Sequence, residues 1–209
     1  MSTCYIVGAG DFTTRDLHPQ PDDFVIAADG GLRALEKANV RPDLLIGDLD
    51  SLGTYPLPEG VPLEKHPVEK DDTDTGIALA HGFSMGFHDF RLYGCGGGRI
   101  DHLMANFQSM GRWSKAGASI RLVDANYDAY VITDSTLLLP KREKGTTISV
   151  FSLDCIAKGV TLKGLKYPLY HHTLTNDYPL GVSNQHLDEP AEITVETGTL
   201  LIIQYLKPE

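Results

Sequence analysis

Five apolar runs punctuate the first 125 residues, and each gives way to small or acidic residues. They are CYIVGAG (4–10), DFVIAADGG (23–31), DLLIGDLDS (43–51), DFRLYGCGGG (89–98) and ASIRLVDA (118–125). Such runs predict buried strands. Between them GGLRALEKAN, DTGIALAHGFSMG and RIDHLMANFQSMGRW carry helical spacing. Ile77, Ala80 and Phe87 are expected on one face of the second, and Ile100, Leu103, Met104 and Phe107 on one face of the third. Strand–helix alternation predicts βαβ units and a parallel sheet. Beyond residue 125 the texture changes to short β-rich segments separated by Gly, Pro and Asp: YDAYVITD, STLLLP, TTISVFSL, GVTLKGL, EITVE and TLLIIQYL. No helical pattern remains there, which predicts a small sandwich. The expected fold is an α/β N-terminal domain with a mainly parallel sheet (1–125), followed by an all-β C-terminal sandwich domain (126–209). YHHTLTNDYPL (170–180) reads as a long loop, and its His171 and His172 receive no role.

Composition narrows the function. A net charge of −10 and a pI of about 5.2 leave no basic face for sequence-independent nucleic-acid binding. An anionic substrate stays possible, because a bound cation inverts the local field. The three cysteines, Cys4, Cys95 and Cys155, are far apart and form no CxxC pair. They fit a reducing compartment rather than a disulfide framework or a zinc site. The N-terminus lacks a basic n-region, and no stretch approaches the ~20 apolar residues of a membrane span. The expectation is a cytoplasmic protein with neither nucleic acid nor membrane as partner.

The chemistry-bearing residues gather where an open α/β sheet binds ligands, beyond the carboxyl ends of its strands. Asp29-Gly30-Gly31 follows VIAA, Asp48 to Ser51 follows LLIG, and Gly94 to Asp101 follows FRLY, while Lys70 to Asp74 precedes a helix. From Asp43 to Asp74 there are nine Asp or Glu against only Lys65 and Lys70, so repulsion must be relieved by something. Partly buried carboxylates are paired, protonated or metal-bound. Hard oxygen donors without Cys or His suit Mg²⁺ bridging phosphates. The plainer alternative makes Asp74 a helix cap and Asp48 and Asp50 turn residues. GCGGGRIDH supplies small residues ahead of a helix, where backbone N–H groups can approach phosphate oxygens, with Arg99 as a bidentate partner. GxxxxGK[ST] is absent, and GAGDFT (8–13) lacks the third glycine of the dinucleotide fingerprint. An acidic cluster and an anion loop on one sheet edge point to phosphoryl or pyrophosphoryl transfer from a nucleotide.

ADGG (28–31), GDLDS (47–51), KDDTD (70–74), GGRIDH (97–102), GLKYPL (164–169) and GVSN (181–184) occur in one order along nearly the whole chain. This set resembles the thiamine pyrophosphokinase family. The resemblance implies transfer of a pyrophosphoryl group from ATP to the thiamine hydroxyl, giving thiamine diphosphate and AMP. It also implies Mg²⁺ and a homodimer with active sites at the subunit interface. By that resemblance Asp48, Asp50 and Asp74 bind Mg²⁺, and Asp71 joins them in the catalytic set. Asp72 falls at a variable position and reads as a solvated neighbour. Ser51, Lys70, Thr73, Arg99, Asp101 and His102 become candidates for ATP contacts. Asp29, Tyr167, Ser183 and Asn184 become candidates for thiamine. Tyr167 stands where some relatives carry Trp, while Trp113, at the end of a first-domain helix, reads as packing. Two other classes compete: an Mg²⁺-dependent phosphohydrolase or nucleotidyltransferase using Asp48 and Asp50, and an idle sensor that binds thiamine or nucleotide without turnover.

Overall fold

A computed structural model describes residues 2–47, 53–66 and 72–208. The chain divides into two compact units, residues 1–109 with 120–125, and residues 110–119 with 126–209. Its elements in order are β1 (Thr3–Val7), β2 (Phe24–Ala28), α1 (Gly31–Lys37), β3 (Leu44–Gly47), β4 (Leu63–Lys65), α2 (Asp74–Ser84), β5 (Asp89–Tyr93), α3 (Ile100–Lys115) and β6 (Ser119–Val123). Then follow β7 (Tyr127–Thr133), β8 (Thr136–Leu139), β9 (Thr146–Ser152), β10 (Ile156–Lys163), β11 (Leu169–Thr175), β12 (Gly181–Gln185), β13 (Ala191–Thr194) and β14 (Thr199–Pro208).

In the first unit the strands lie in the order β6-β5-β1-β2-β3-β4. β1 runs parallel to both β2 and β5, β2 to β3, and β3 to β4. A sheet covered on both faces buries every residue of a strand, which is why β1 and β3 are buried throughout. Tyr5, Val7, Val25, Ala27 and Leu45 pack with Leu32 and Leu35 of α1. Cys4 and Phe90 meet α2 at Gly82, where an added Cβ would lie 2.9 Å from Cys4 Sγ and 2.8 Å from the Phe90 ring.

Both predicted helical faces need correction. α2 buries Thr75, Ala78, Leu79 and Gly82, spaced as one stripe, whereas Ile77 and Ala80 are only partly buried and Phe87 lies past its end. α3 buries Asn106, Phe107, Met110 and Ser114 and leaves Ile100 77% and Met104 54% exposed. Hydrophobicity selects the wrong stripe on α3 because two of its buried residues are polar and bonded. Asn106 Nδ2 donates to Cys95 O at 2.9 Å, and Ser114 Oγ lies 2.9 Å from Thr133 Oγ1.

The second unit is a sandwich of two antiparallel sheets, β12-β9-β14-β7 and β11-β10-β13-β8. Ile148, Val150, Leu200 and Ile202 of one meet Val160, Leu162, Leu174 and Ile193 of the other in a single core. Residues 170–175, expected within a loop, belong to β11 (Leu169–Thr175) instead, so His171 and His172 sit on a strand. Four consecutive residues of that strand, Tyr170 to Thr173, are exposed, and an exposed edge strand has no apolar signature to read.

Candidate active site

The strand order in the first unit reverses at β1. The chain moves from β1 outward through β2, β3 and β4, then returns to place β5 on the other side of β1. Connections leave such a reversal in opposite directions and open a crevice beyond the strand ends. A cavity of about 480 Å³ opens there, bounded by residues following β1, β2 and β5 and by the starts of α2 and α3.

One wall is glycine backbone. Gly8 N–H donates to Tyr93 O at 2.8 Å and Gly10 N–H to Gly94 O at 2.8 Å, so the loops after β1 and β5 are laced together. Gly94 has φ +61°, and an added Cβ would lie 2.4 Å from Gly8 O. Only glycine permits both that conformation and that approach. Beyond it Gly97, Gly98, Arg99 and His102 continue the wall into α3, with Cys95 and Asn106 also lining the cavity. The Asn106–Cys95 bond ties the glycine loop to the helix that follows it. Burial pushes the Cys95 thiol up to about 11, so it stays neutral and unreactive near neutrality.

Acidic residues line the same cavity, Asp29, Asp72 and Asp74. Asp29 follows β2 with φ +49° and donates its N–H to Ile46 O at 2.8 Å. The space beside Gly47 that a Cβ would fill lies 3.2 Å from Asp74 Oδ1 and 3.3 Å from Asp29 Cα. The end of β3, Asp29 and the Asp74 carboxylate are therefore in van der Waals proximity. Thr73, not Asp74, caps α2: its Oγ1 accepts the Gly76 N–H at 3.0 Å. Asp72 is more than a solvated neighbour. It is partly buried, and its Oδ1 accepts the Thr73 N–H at 2.8 Å and fills the space that a Cβ on Gly76 would need.

Arg99 and Asp101 grip each other, Nε to Oδ1 at 3.1 Å and Nη2 to Oδ2 at 2.5 Å, with both side chains exposed. The Arg99 hydrogen bonds hold the Asp101 carboxyl down at about 2. Asp101 does not itself line the cavity. Asp48, Asp50, Ser51, Lys70 and Asp71 lie outside the described residues. Among the described residues no group of three or more His, Cys, Asp or Glu is arranged to hold a metal ion.

In the second unit GLKYPL and GVSN come together. Leu165 bridges His186, Lys166 N–H donates to Gln185 O at 2.9 Å, and Tyr167 is held by the side chain of Asn184. Tyr167 is exposed, and the Lys166 ammonium sits 5.3 Å from its ring centroid. Ser183 has φ +55° and occupies a bulge in the pairing of β12 with β9, where its N–H donates to Ser149 Oγ at 3.0 Å.

Residues 19–122 match the family model for thiamin pyrophosphokinase, catalytic domain, and residues 134–201 that for thiamin pyrophosphokinase, vitamin B1 binding domain. The chain belongs to the thiamine pyrophosphokinase family. A thiamine pyrophosphokinase of Bacillus subtilis is 28% identical over 211 residues, covering 98% of this chain and 99% of its own. The crystal structure of a thiamine pyrophosphokinase from the same organism has a TM-score of 0.86 at 23% identity, over 99% of this chain and 100% of its own. That of a thiamin pyrophosphokinase family protein from Enterococcus faecalis gives 0.80 at 26%, over 100% of both chains. The α/β unit and the β-sandwich are thus the architecture of thiamine pyrophosphokinases, kinases that form thiamine diphosphate.

Four of the thiamine pyrophosphokinase motifs, ADGG, GDLDS, KDDTD and GGRIDH, contribute described residues at this sheet edge: Asp29, Gly47, Asp74 and Gly97. Gly8, Gly10 and Asn106 are not among the residues the sequence places there. For Gly8 and Gly10 a signal existed, since two glycines directly after the first apolar run mark a close backbone approach whether or not a dinucleotide fingerprint follows. Asn106, a polar residue inside a helical stripe, carries no comparable signal.

Proposed function

We propose that this chain catalyses transfer of the pyrophosphoryl group of ATP to the hydroxyethyl oxygen of thiamine, releasing AMP. The observation that carries this is the cavity at the strand reversal, lined by both unsubstituted glycine backbone and carboxylates. Phosphate oxygens are served by the glycine run ahead of α3, Gly97 and Gly98, and by Arg99, and the acids hold the counter-cation. Asp74 lies beside the end of β3, and together with Asp48 and Asp50, which follow that strand in sequence, it would supply oxygen donors of the kind Mg²⁺ takes. Mg²⁺ held there would neutralise phosphate charge as the β-phosphorus–oxygen bond to AMP breaks.

The chain's own residues then supply position. The thiamine hydroxyl oxygen bonds to the β-phosphorus, AMP departs with the bridging oxygen, and the hydroxyl proton passes to solvent, a step that does not demand a dedicated side-chain base. Orientation and charge neutralisation carry such a transfer. Arg99 must leave Asp101 to reach the transferring group, and Lys70 is the second cation assigned there. Tyr167 and Ser183 meet thiamine. The enzyme works in the cytoplasm as a homodimer with active sites at the subunit interface. Exposed Tyr170, Tyr178, Leu180 and Val182 on the second unit support a partner-covered surface. Among the described residues no helix is long and apolar enough to cross a membrane.

AMP release from ATP and Mg²⁺, with and without thiamine, tests the reading on the wild type, Asp48→Asn and Asp74→Asn. Thiamine-dependent AMP lost in both variants is expected. Thiamine-independent release would make the protein a hydrolase, and thiamine binding without AMP would make it a sensor.

A further inference from the structure

The geometry points to Asn184 as the residue that fixes the backbone of Tyr167, a positioning residue for the thiamine subsite rather than a contact of thiamine. The inference rests on the proposed function for its substrate; the clamp itself does not.

Asn184 is 3% exposed and its amide is nearly spent. Its Oδ1 accepts the Tyr167 N–H at 2.9 Å and the Gln185 N–H at 2.9 Å, which fills both lone pairs. Its Nδ2 donates to Tyr167 O at 2.7 Å. One N–H of a buried group is left, too little to recognise a ligand at the surface. Tyr167, in contrast, is 58% exposed.

The arrangement has a local cause. Segment 165–166 is held along the end of β12 by backbone bonds, Leu165 against His186 and Lys166 to Gln185. The next rung would need a peptide group opposite Tyr167. The register of β12 with β9 shifts between Gly181 and Asn184, and Ser183 there is left-handed at φ +55°, so the β12 backbone is irregular just where that rung would form. A side-chain amide presents the same donor and acceptor as a peptide, and Asn184 uses both on one residue. The backbone of Tyr167 is thereby held against Asn184, the residue that follows the exposed Ser183. Asp at 184 would keep the acceptor but lose the donor and set a charge against the Tyr167 carbonyl. Ala would lose both.

The test uses the full chain and two readouts. In Asn184→Ala, amide hydrogen exchange at Tyr167 should accelerate by roughly tenfold or more, as loss of one such bond implies. The KM for thiamine should rise by about tenfold, with the KM for ATP changed less than about twofold. In a Tyr167→Ala background the same Asn184 change should alter the thiamine KM by less than about twofold, because there is no ring left to place. Asn184→Asp, which keeps the shape of the side chain, should reproduce the thiamine effect if Ala unfolds the unit. Unchanged exchange at Tyr167 overturns the clamp. An Asn184 effect that persists in full without Tyr167, or an equal rise in the ATP KM, overturns the positioning role. Absence of thiamine-dependent AMP from the wild type would refute the proposed function instead, and the exchange result would still decide the clamp.

Discussion

Replacing Gly94 by alanine tests whether the two glycine loops are locked together or merely adjacent. Gly94 and Gly98 belong to one loop and both have positive φ, +61° and +80°. An L-residue in the left-handed region costs about 1–2 kcal/mol at either position. The surroundings differ. Nothing lies within 4 Å of a Cβ on Gly98, whereas on Gly94 it would stand 2.4 Å from Gly8 O and 3.4 Å from Gly10 O. Relieving that clash means moving backbone, an overpacking cost of about 1–3 kcal/mol. It also strains the bonds Gly8 N–Tyr93 O and Gly10 N–Gly94 O, each worth about 1 kcal/mol net. Gly94→Ala should therefore lose roughly 3–5 kcal/mol and Gly98→Ala about 1–2 kcal/mol. In a chain of this length the gap should appear as a Tm difference of roughly 4–12 °C. Thermal unfolding by calorimetry, with the ATP KM measured below both transitions, checks it. Equal Tm values would refute the lacing of the loops, because only the neighbours of the Cβ distinguish the two sites.

Asp101, held at about 2 by Arg99, should titrate there by NMR and return toward the ordinary carboxylate range in Arg99→Gln. Its contribution is present above the unfolded value of about 3.9 and lost as pH falls toward 2; with both groups exposed, salt should erase it. Of the three cysteines only Cys155 should react with a thiol reagent in the native state. Burial raises Cys4 to about 12 and Cys95 to about 11, so their stabilisation is full below about 8.5 and fades as pH rises toward those values. His186 is fully buried, and desolvation, then Arg142, lowers its pKa. A base kept neutral by the fold stabilises above its unfolded value of about 6.5 and less as pH falls below it. A stability curve from pH 8 to 5 should therefore slope less for His186→Gln than for the wild type.

The strands of the first unit were legible because parallel strands buried on both faces are runs of apolar residues, and Cys4–Val7 or Leu44–Ile46 can hardly be anything else. The helices were legible as helices but not in orientation. What faces the core on α3 includes Asn106 and Ser114, acceptable only through hydrogen bonds to residues remote in sequence. β4 and β12 escaped notice, one being three residues long and the other broken by a bulge. At the cavity, charge and glycine placement disclosed Asp29, Asp74, Gly97 and Arg99. They could not disclose that Thr73 caps α2, that Asp101 occupies Arg99, or that the loop after β1 forms a wall. Those facts depend on which strand lies beside which, and topology is not local information.

The exposed strand β11 bears on how this protein survives at high concentration. It ends its sheet, and an end strand offers its unused backbone groups to any neighbouring chain. Along it, however, the register with β10 slips twice, and His171 stands in a left-handed conformation at φ +51°. A second molecule approaching that margin meets a ladder whose steps are unevenly cut. That uneven margin, on a strand whose exposed residues hid it from the sequence pattern, is thus a guard against fibrous growth.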